Sequence, residues 1–338
     1  MSAMTSAAIL GSGSFGTALA TLLAPKLREV VIISRDPATA ETITTGHRNP
    51  HYLKDVTLAD NIRATTTLAT AVEHPLVVFA VPTSATRGIA VDLAKLGLPS
   101  SAVLLSCAKG IEKATGERMS QILRDVFPGN PIAALSGPNH AEEIAHRLAT
   151  CAVIGSNDAA LAIRLQELFT LPHFRSYTSD DVAGMELGGA VKNVFAIAAG
   201  IAHGLGVGDN AVAALVTRAL AEMTRLGVAL GGQIETFAGL SGMGDLIVTC
   251  FSEHSRNHRV GFALGQGKTL EEAVNSLGMV AEGVPNTLSI HDAARKAGVR
   301  TPIIDAVHGI LYENKPAARA MHELLTRDPR PETDSSQS

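Results

Sequence analysis

The chain has 338 residues, 46% hydrophobic and 18% charged, and 28 Lys and Arg against 32 Asp and Glu give a formal net charge of −4. That length suits two domains with separate cores, while the mild negative balance excludes a basic surface for nucleic acid or for an anionic membrane. Three scattered cysteines, Cys107, Cys151 and Cys250, form no CxxC pair and no disulfide framework, which fits a reducing compartment and places the protein in the cytoplasm.

Residues 1–182 alternate short apolar runs with helical patterns. Ala7–Leu10 is the first strand. It leads into Gly11-Ser-Gly13-Ser-Phe-Gly16 and an apolar helix pattern over Phe15–Leu23. Glycines between strand and helix allow a tight turn and let a pyrophosphate approach the backbone, where the helix N-terminus offers free N–H groups. The second strand, Val30–Ile33, ends at Ser34-Arg35-Asp36. An acidic residue there suits the ribose of NAD, and a basic one suits the extra phosphate of NADP. Arg35 comes first and favours NADP(H); Asp36 either serves NAD or caps the next helix, ahead of Pro37.

Leu76–Val81 and Val103–Ser106 follow as strands, and Lys109-Gly110 lies just past the second of them. Ligands in open parallel sheets sit beyond the strands' carboxyl ends, so Lys109 is either a ligand-facing cation or a solvated loop lysine. Glu117–Val126 is a helix. Ile132–Leu135 is a strand that runs into Gly137-Pro138-Asn139-His140-Ala141, where Asn139 caps a helix or meets substrate. Cys151–Ile154 and Phe174–Tyr177 complete a sheet rich in parallel strands, with helices on both faces.

From 183 to 327 the pattern is helical throughout, and 328–338 has the composition of a disordered tail. The apolar stretch Ala183–Val216 carries Glu186, Lys192, His203 and Asp209, so it reads as a buried helix pair and not as a membrane span. Further helices fall at Ala211–Leu230, Thr269–Ser276, Pro285–Ala297 and Thr301–Glu313, with Gly227, Gly231, Gly265, Gly278 and Gly298 as helix stops. The fold class is α/β: an N-terminal Rossmann-like sheet domain followed by an all-α domain.

Lys192 stands in an apolar helix, Gly188-Gly-Ala-Val-Lys-Asn-Val-Phe. A lysine there either snorkels or works, and desolvation beside a second cation makes it a usable acid or base. Asp245, in a Gly-flanked turn, suits holding a lysine ammonium. Arg256 between Ser255 and Asn257 suits a phosphate or carboxylate, although Ser255 alone fits an N-cap. His254 and His258 are four apart, but no third ligand accompanies them and no metal site is expected.

In order along the chain, GSGSFGTALA (11–20), Lys109-Gly110, SGPNHAEE (136–143), KNVFAIAAG (192–200), TFAGLSGMGDLIVTC (236–250), SRN (255–257) and Glu282-Gly283 resemble NAD(P)-dependent glycerol-3-phosphate dehydrogenases of the bacterial type. The resemblance implies hydride transfer between NADPH, or NADH, and dihydroxyacetone phosphate, giving sn-glycerol 3-phosphate for phospholipid synthesis in a cytoplasmic homodimer. It implies Lys192 as proton donor and acceptor, with Asp245 and Lys109 beside it. Gly137, Asn139, Ser255, Arg256 and Asn257 would contact substrate. Gly11, Gly13, Ser14, Phe15, Gly16, Arg35, Tyr52, Lys109, Ala141, Arg256, Val280 and Glu282 would hold the dinucleotide. One departure is Asn139-His140, where the family more often has Ser or Thr followed by Phe. A relative acting on another 2- or 3-hydroxy acid is the alternative; the donors of SRN and GMGDL favour a phosphate.

Overall fold

The structure is a computed structural model that describes residues 4–277, 280–328 and 331–332. Strands β1 (Ser6–Leu10), β2 (Glu29–Ile33), β3 (Ile62–Thr65), β4 (Leu76–Phe79), β5 (Val103–Ser106), β6 (Ile132–Ser136), β7 (Thr150–Gly155) and β8 (Phe174–Ser179) form one sheet in the order β3-β2-β1-β4-β5-β6-β7-β8. The chain steps outward from β1 to β3, then returns to the other side of β1 as β4. This reversal opens a crevice at the carboxyl ends of β1 and β4.

Alternation along each strand feeds two cores. Ala7 and Ile9 of β1 face one layer, with α1 (Ser14–Leu23), α2 (Pro37–Gly46), α5 (Ala141–Ala145) and α6 (Ala159–Phe169), through Leu19, Ile43, Ile144 and Leu165. Ala8 and Leu10 face the other, with α3 (Thr83–Lys95) and α4 (Met119–Val126), through Leu93 and Leu123. Both faces of the sheet are therefore covered, as its near-continuous apolar strands require.

The sequence reading missed one strand and left the direction of another open. β3 was not expected, because only Ile62 of Ile62–Thr65 is buried and no apolar run marks it. β7 pairs antiparallel with β6, while every other strand pair is parallel. The five-residue α5 between them rises too little to carry the chain back for a parallel crossover.

Helices α7 (Val182–Gly204), α8 (Asp209–Ala229), α9 (Ile234–Ala238), α10 (Asp245–Phe251), α11 (Arg256–Gly265), α12 (Leu270–Asn275), α13 (Gly283–Lys296), α14 (Pro302–Tyr312) and α15 (Ala317–Leu325) form the second half. α7 is long and apolar enough to cross a membrane, but its most apolar stretch is wholly buried inside the fold. α8, α10, α11, α13 and α14 pack around it. Its Glu186 reaches the sheet half, accepting hydrogen bonds from Arg118 Nη1 (2.7 Å), Ser120 N–H (2.8 Å) and Ser120 Oγ (2.6 Å) at the start of α4.

α7 and α11 approach without intervening side chains. A Cβ on Gly261 would lie 2.1 Å from the Ile197 carbonyl oxygen, and one on Gly200 would lie 2.1 Å from that of His258. α11 is thereby pressed against the C-terminal part of α7. Gly227, expected to stop a helix, instead lies inside α8, where a Cβ would meet the Phe237 ring at 2.0 Å. Its glycine serves packing. Gly278 and most of the expected tail lie outside the described residues.

Gly261→Ala should destabilise the protein by about 2–3 kcal/mol, because backbone and not a pliable side chain blocks the added methyl. Urea unfolding measures it, and a loss below about 0.5 kcal/mol would show that the two helices can separate freely.

Candidate active site

The glycine-rich turn follows β1 at the crevice. Gly11 takes φ +112, its N–H donates to the Ile33 carbonyl at 3.0 Å, and a Cβ would sit 2.6 Å from the Ala80 carbonyl oxygen. A Cβ on Gly16 would lie 2.0 Å from the Gly11 carbonyl oxygen. These two glycines are demanded by the turn itself. Gly13 is different: its φ is −71, and a Cβ there would have no atom of the surrounding fold within 4 Å. It leaves clear approach to the start of α1.

That start carries no side-chain cap and no acid in its first turn. The helical ladder begins with Thr17 N–H to the Gly13 carbonyl (3.0 Å), so the N–H groups of Ser14, Phe15 and Gly16 precede it. Unpaired N–H groups, the positive end of the helix dipole and an open surface fit a pyrophosphate. Arg35 is exposed just beyond β2. Asp36 caps α2, its carboxylate accepting from Ala38 N–H (3.4 Å), Thr39 N–H (2.9 Å) and Thr39 Oγ1 (2.5 Å). Asp36 thus serves its own helix, which leaves Arg35 as the charged side chain free to meet an adenosine phosphate.

Asn49 was missed in the sequence. It is 1% exposed; its amide donates to the Ser12 carbonyl and to Thr17 Oγ1, both at 2.8 Å, and its carbonyl accepts Tyr52 N–H at 3.0 Å. This side chain brings Tyr52 alongside the glycine turn. Ala141 opens α5, which packs on α1.

At the neighbouring strand ends three charges meet. The Asp245 carboxylate, 1% exposed, accepts from Lys109 Nζ at 2.9 Å on one oxygen and from Lys192 Nζ on the other. Lys192, 4% exposed, also donates to Thr249 Oγ1 at 2.8 Å, so it is no snorkelling lysine. Lys109 further donates to the Gly137 carbonyl and to Asn139 Oδ1, both at 2.9 Å, so it is not solvated either. Asn139 does not cap α5; His140 occupies that position, and Asn139 Nδ2 is buried without a hydrogen-bond partner.

The electrostatics follow from this packing. Burial is the largest influence on Lys192, and the Lys109 charge adds to it; together they outweigh Asp245 and bring the ammonium down to about 7. Burial by itself would raise the Asp245 carboxyl, but the two lysines override it and hold the group below its ordinary range. Burial, then Lys192 and Lys109, push His140 down to about 4, so its ring is neutral near pH 7 and adds no third cation.

A π-helical turn, Leu240–Gly244, runs directly into α10 and presents Asp245 inward. A Cβ on Gly189 would press on Ser136 Oγ at 2.9 Å and on Lys109 Cγ at 3.4 Å, so the glycine there leaves room for the Lys109 stem.

On the other flank Ser255 caps α11, accepting His258 N–H at 3.2 Å. Arg256 Nη1 donates to the Val280 carbonyl at 2.8 Å. Asn257 donates to Asn193 Oδ1 and accepts Gly283 N–H, both at 2.9 Å. Glu282, raised by burial, accepts from Thr83 Oγ1 at 2.5 Å. His258 pairs with His203 at 2.7 Å, while the His254 ring stands 6.2 Å from that of His140.

Besides Asn49, sequence reasoning missed Thr249, Asn193 and Asn286. Thr249 had a local signal, one helical turn beyond Asp245, and Asn193 adjoins Lys192; Asn286 had none.

The family model described as NAD-dependent glycerol-3-phosphate dehydrogenase N-terminus matches residues 6–162, and the one for the C-terminus matches residues 181–322. Glycerol-3-phosphate dehydrogenase (NAD(P)+) of Enterococcus faecalis is 44% identical over 331 residues, covering 97% of each chain. The enzyme of the same name from Chlorobium limicola is 45% identical over 329 residues, covering 96% of this chain and 98% of that one. A crystal structure of glycerol-3-phosphate dehydrogenase from Coxiella burnetii superposes with a TM-score of 0.92 at 36% identity, covering 95% of this chain and 99% of that one.

Gly13→Ala should leave the melting temperature unchanged, since no atom of the fold opposes the methyl, yet weaken dinucleotide binding roughly tenfold. Calorimetry and a fluorescence titration read the two effects. Unchanged affinity would remove the pyrophosphate from this turn.

Proposed function

The chain belongs to the NAD-dependent glycerol-3-phosphate dehydrogenase family, and we propose that it interconverts dihydroxyacetone phosphate and sn-glycerol 3-phosphate with Lys192 as acid and base and with NADPH preferred over NADH. The observation that carries the reading is the buried Lys192–Asp245–Lys109 cluster, set beside a glycine turn whose helix N-terminus is open. Arg35, exposed while Asp36 is engaged as a cap, supports NADPH.

In this reading Gly11, Gly13, Ser14, Phe15 and Gly16 hold the pyrophosphate, and Arg35 and Tyr52 lie toward the adenosine end. Lys109, Ala141, Arg256, Val280 and Glu282 complete the dinucleotide site. Once bound, the dinucleotide supplies the hydride that goes to C2 of dihydroxyacetone phosphate.

The chain's residues do the rest. Lys192 gives its proton to the carbonyl oxygen as negative charge develops there and takes one back in the reverse direction. Asp245 and Thr249 aim the Lys192 ammonium, and the Lys109 ammonium, held by Asp245, stabilises the oxyanion. Ser255, Arg256 and Asn257 receive the phosphate, as their several donors suit it better than a lone carboxylate. Gly137 and Asn139 border the substrate, the free Asn139 amide offering a donor.

We also assign the protein to the cytoplasm, as a homodimer with no membrane-inserted segment, its product feeding glycerophospholipid synthesis. The family and the three unpaired cysteines support that assignment. The sheet unit, 1–182, takes the dinucleotide in this reading, and the helical unit, 183–327, supplies Lys192 and the phosphate site.

Because reduction needs Lys192 charged and oxidation needs it neutral, dihydroxyacetone phosphate reduction should fall and glycerol 3-phosphate oxidation should rise as pH increases through about 7. Lys192→Ala should cost roughly 1,000-fold in kcat and abolish the opposed pH trends. Steady-state absorbance at several pH values checks both, and trends that survive in the variant would give the proton to another group. Arg256→Ala should raise KM for dihydroxyacetone phosphate roughly 10- to 100-fold, more than it lowers kcat. An unchanged KM would move the phosphate elsewhere.

A further inference from the structure

The mechanism asks Lys109 to stay still, and its side-chain contacts alone do not anchor it, because they end on the groups with which it works. The backbone is anchored separately. The Lys109 carbonyl accepts two side-chain amides from the helical half, Asn286 Nδ2 of α13 at 2.8 Å and Asn193 Nδ2 of α7 at 3.1 Å. Both asparagines are buried, at 2% and 5% exposure. A Cβ on Gly110 would stand 2.5 Å from Asn286 Oδ1 and 2.9 Å from its Nδ2. Glycine after Lys109 is therefore what lets the Asn286 amide close on the backbone.

We propose that Asn286 is a positioning residue for the reaction, clamping the Lys109 backbone so that its ammonium is fixed against Asp245 and Lys192. The clamp is itself braced. α13 begins at Gly283, whose N–H is held by Asn257 at 2.9 Å, and Glu282 just before it accepts from Thr83 on the sheet half at 2.5 Å. Asn257 bonds in turn to Asn193 at 2.9 Å, so both amides on the Lys109 carbonyl are tied to the proposed phosphate-binding helix. A phosphate held at the start of α11 would thereby bear on the placement of Lys109. An asparagine suits this task because its short amide donates a directional hydrogen bond without adding charge near two lysines.

The proposal rests on the assigned reaction, so the wild-type enzyme with dihydroxyacetone phosphate and NADPH is assayed first; no turnover there would overturn that reading and the proposal with it, whereas failure of the clamp alone shows only in the variants. With turnover in hand, Asn286→Ala is made alone and together with Lys109→Met. Displacing Lys109 relieves its repulsion on Lys192, so the single variant should lose roughly tenfold in kcat and shift the pH midpoint of reduction upward by about half a unit. KM for NADPH should stay within about twofold, and in the Lys109→Met background the same substitution should cost less than about twofold, since the group it positions is gone. Asn286→Leu, which keeps the volume and lacks the donor, replaces Asn286→Ala if the latter does not fold. An unmoved pH midpoint, or an equal loss with and without Lys109, would reduce Asn286 to a packing residue and overturn the proposal.

Discussion

One carboxylate accepts two ammonium groups inside a nearly water-free pocket, and the rest of the molecule is arranged around that fact. Asp245 at 1% exposure cannot neutralise both Lys109 and Lys192, so the cluster holds a surplus positive charge. Burying a charge without full compensation is costly, and the cost falls on the lysine with least access to water. Lys192 therefore sits near the boundary between charged and neutral at ordinary pH, the condition an acid–base residue needs. Lys109, less buried, has a carbonyl and an amide oxygen as further acceptors.

Each member of the cluster comes from a different part of the chain, so backbones must approach closely. α7 carries Lys192 through the centre of the helical half, and glycines replace side chains where it meets its neighbours. Gly189 gives way to the Lys109 stem and Gly200 to the backbone of α11, while α11 brings Gly261 against α7. The first half uses glycine twice over. Gly11 and Gly16 are required by the turn's own atoms, whereas a Cβ on Gly13 would meet nothing in the fold, so the start of α1 is left open.

Asparagines connect these parts. Asn49 ties the loop bearing Tyr52 to the glycine turn, Asn193 and Asn286 hold the Lys109 carbonyl, and Asn257 links α11 to both α7 and α13. Buried amides satisfy backbone groups at chain crossings without introducing further charge beside Lys109, Lys192 and Asp245.

Local pattern was enough to reveal the strand–glycine–helix opening, the alternation of strands and helices, and the oddity of Lys192 in an apolar helix, because each is written within one turn or one strand. Asp245 and the SRN run were legible as residue types suited to charge, and Asp36 as a helix cap, again from immediate neighbours. The edge strand β3 was not, since a strand with one buried residue leaves no apolar run, nor was the reversed direction of β7, which depends on how little length α5 provides. Gly227 was misread because a glycine that ends a helix and one that admits a neighbouring ring look alike in a single chain. What tertiary structure alone decided is which distant groups share space: that Lys109 and Lys192 compete for one carboxylate, and that Asn286, 177 positions from Lys109, closes on its backbone. The strength of a charge interaction or of a hydrogen bond depends on distance and burial, and neither quantity is carried by residue order.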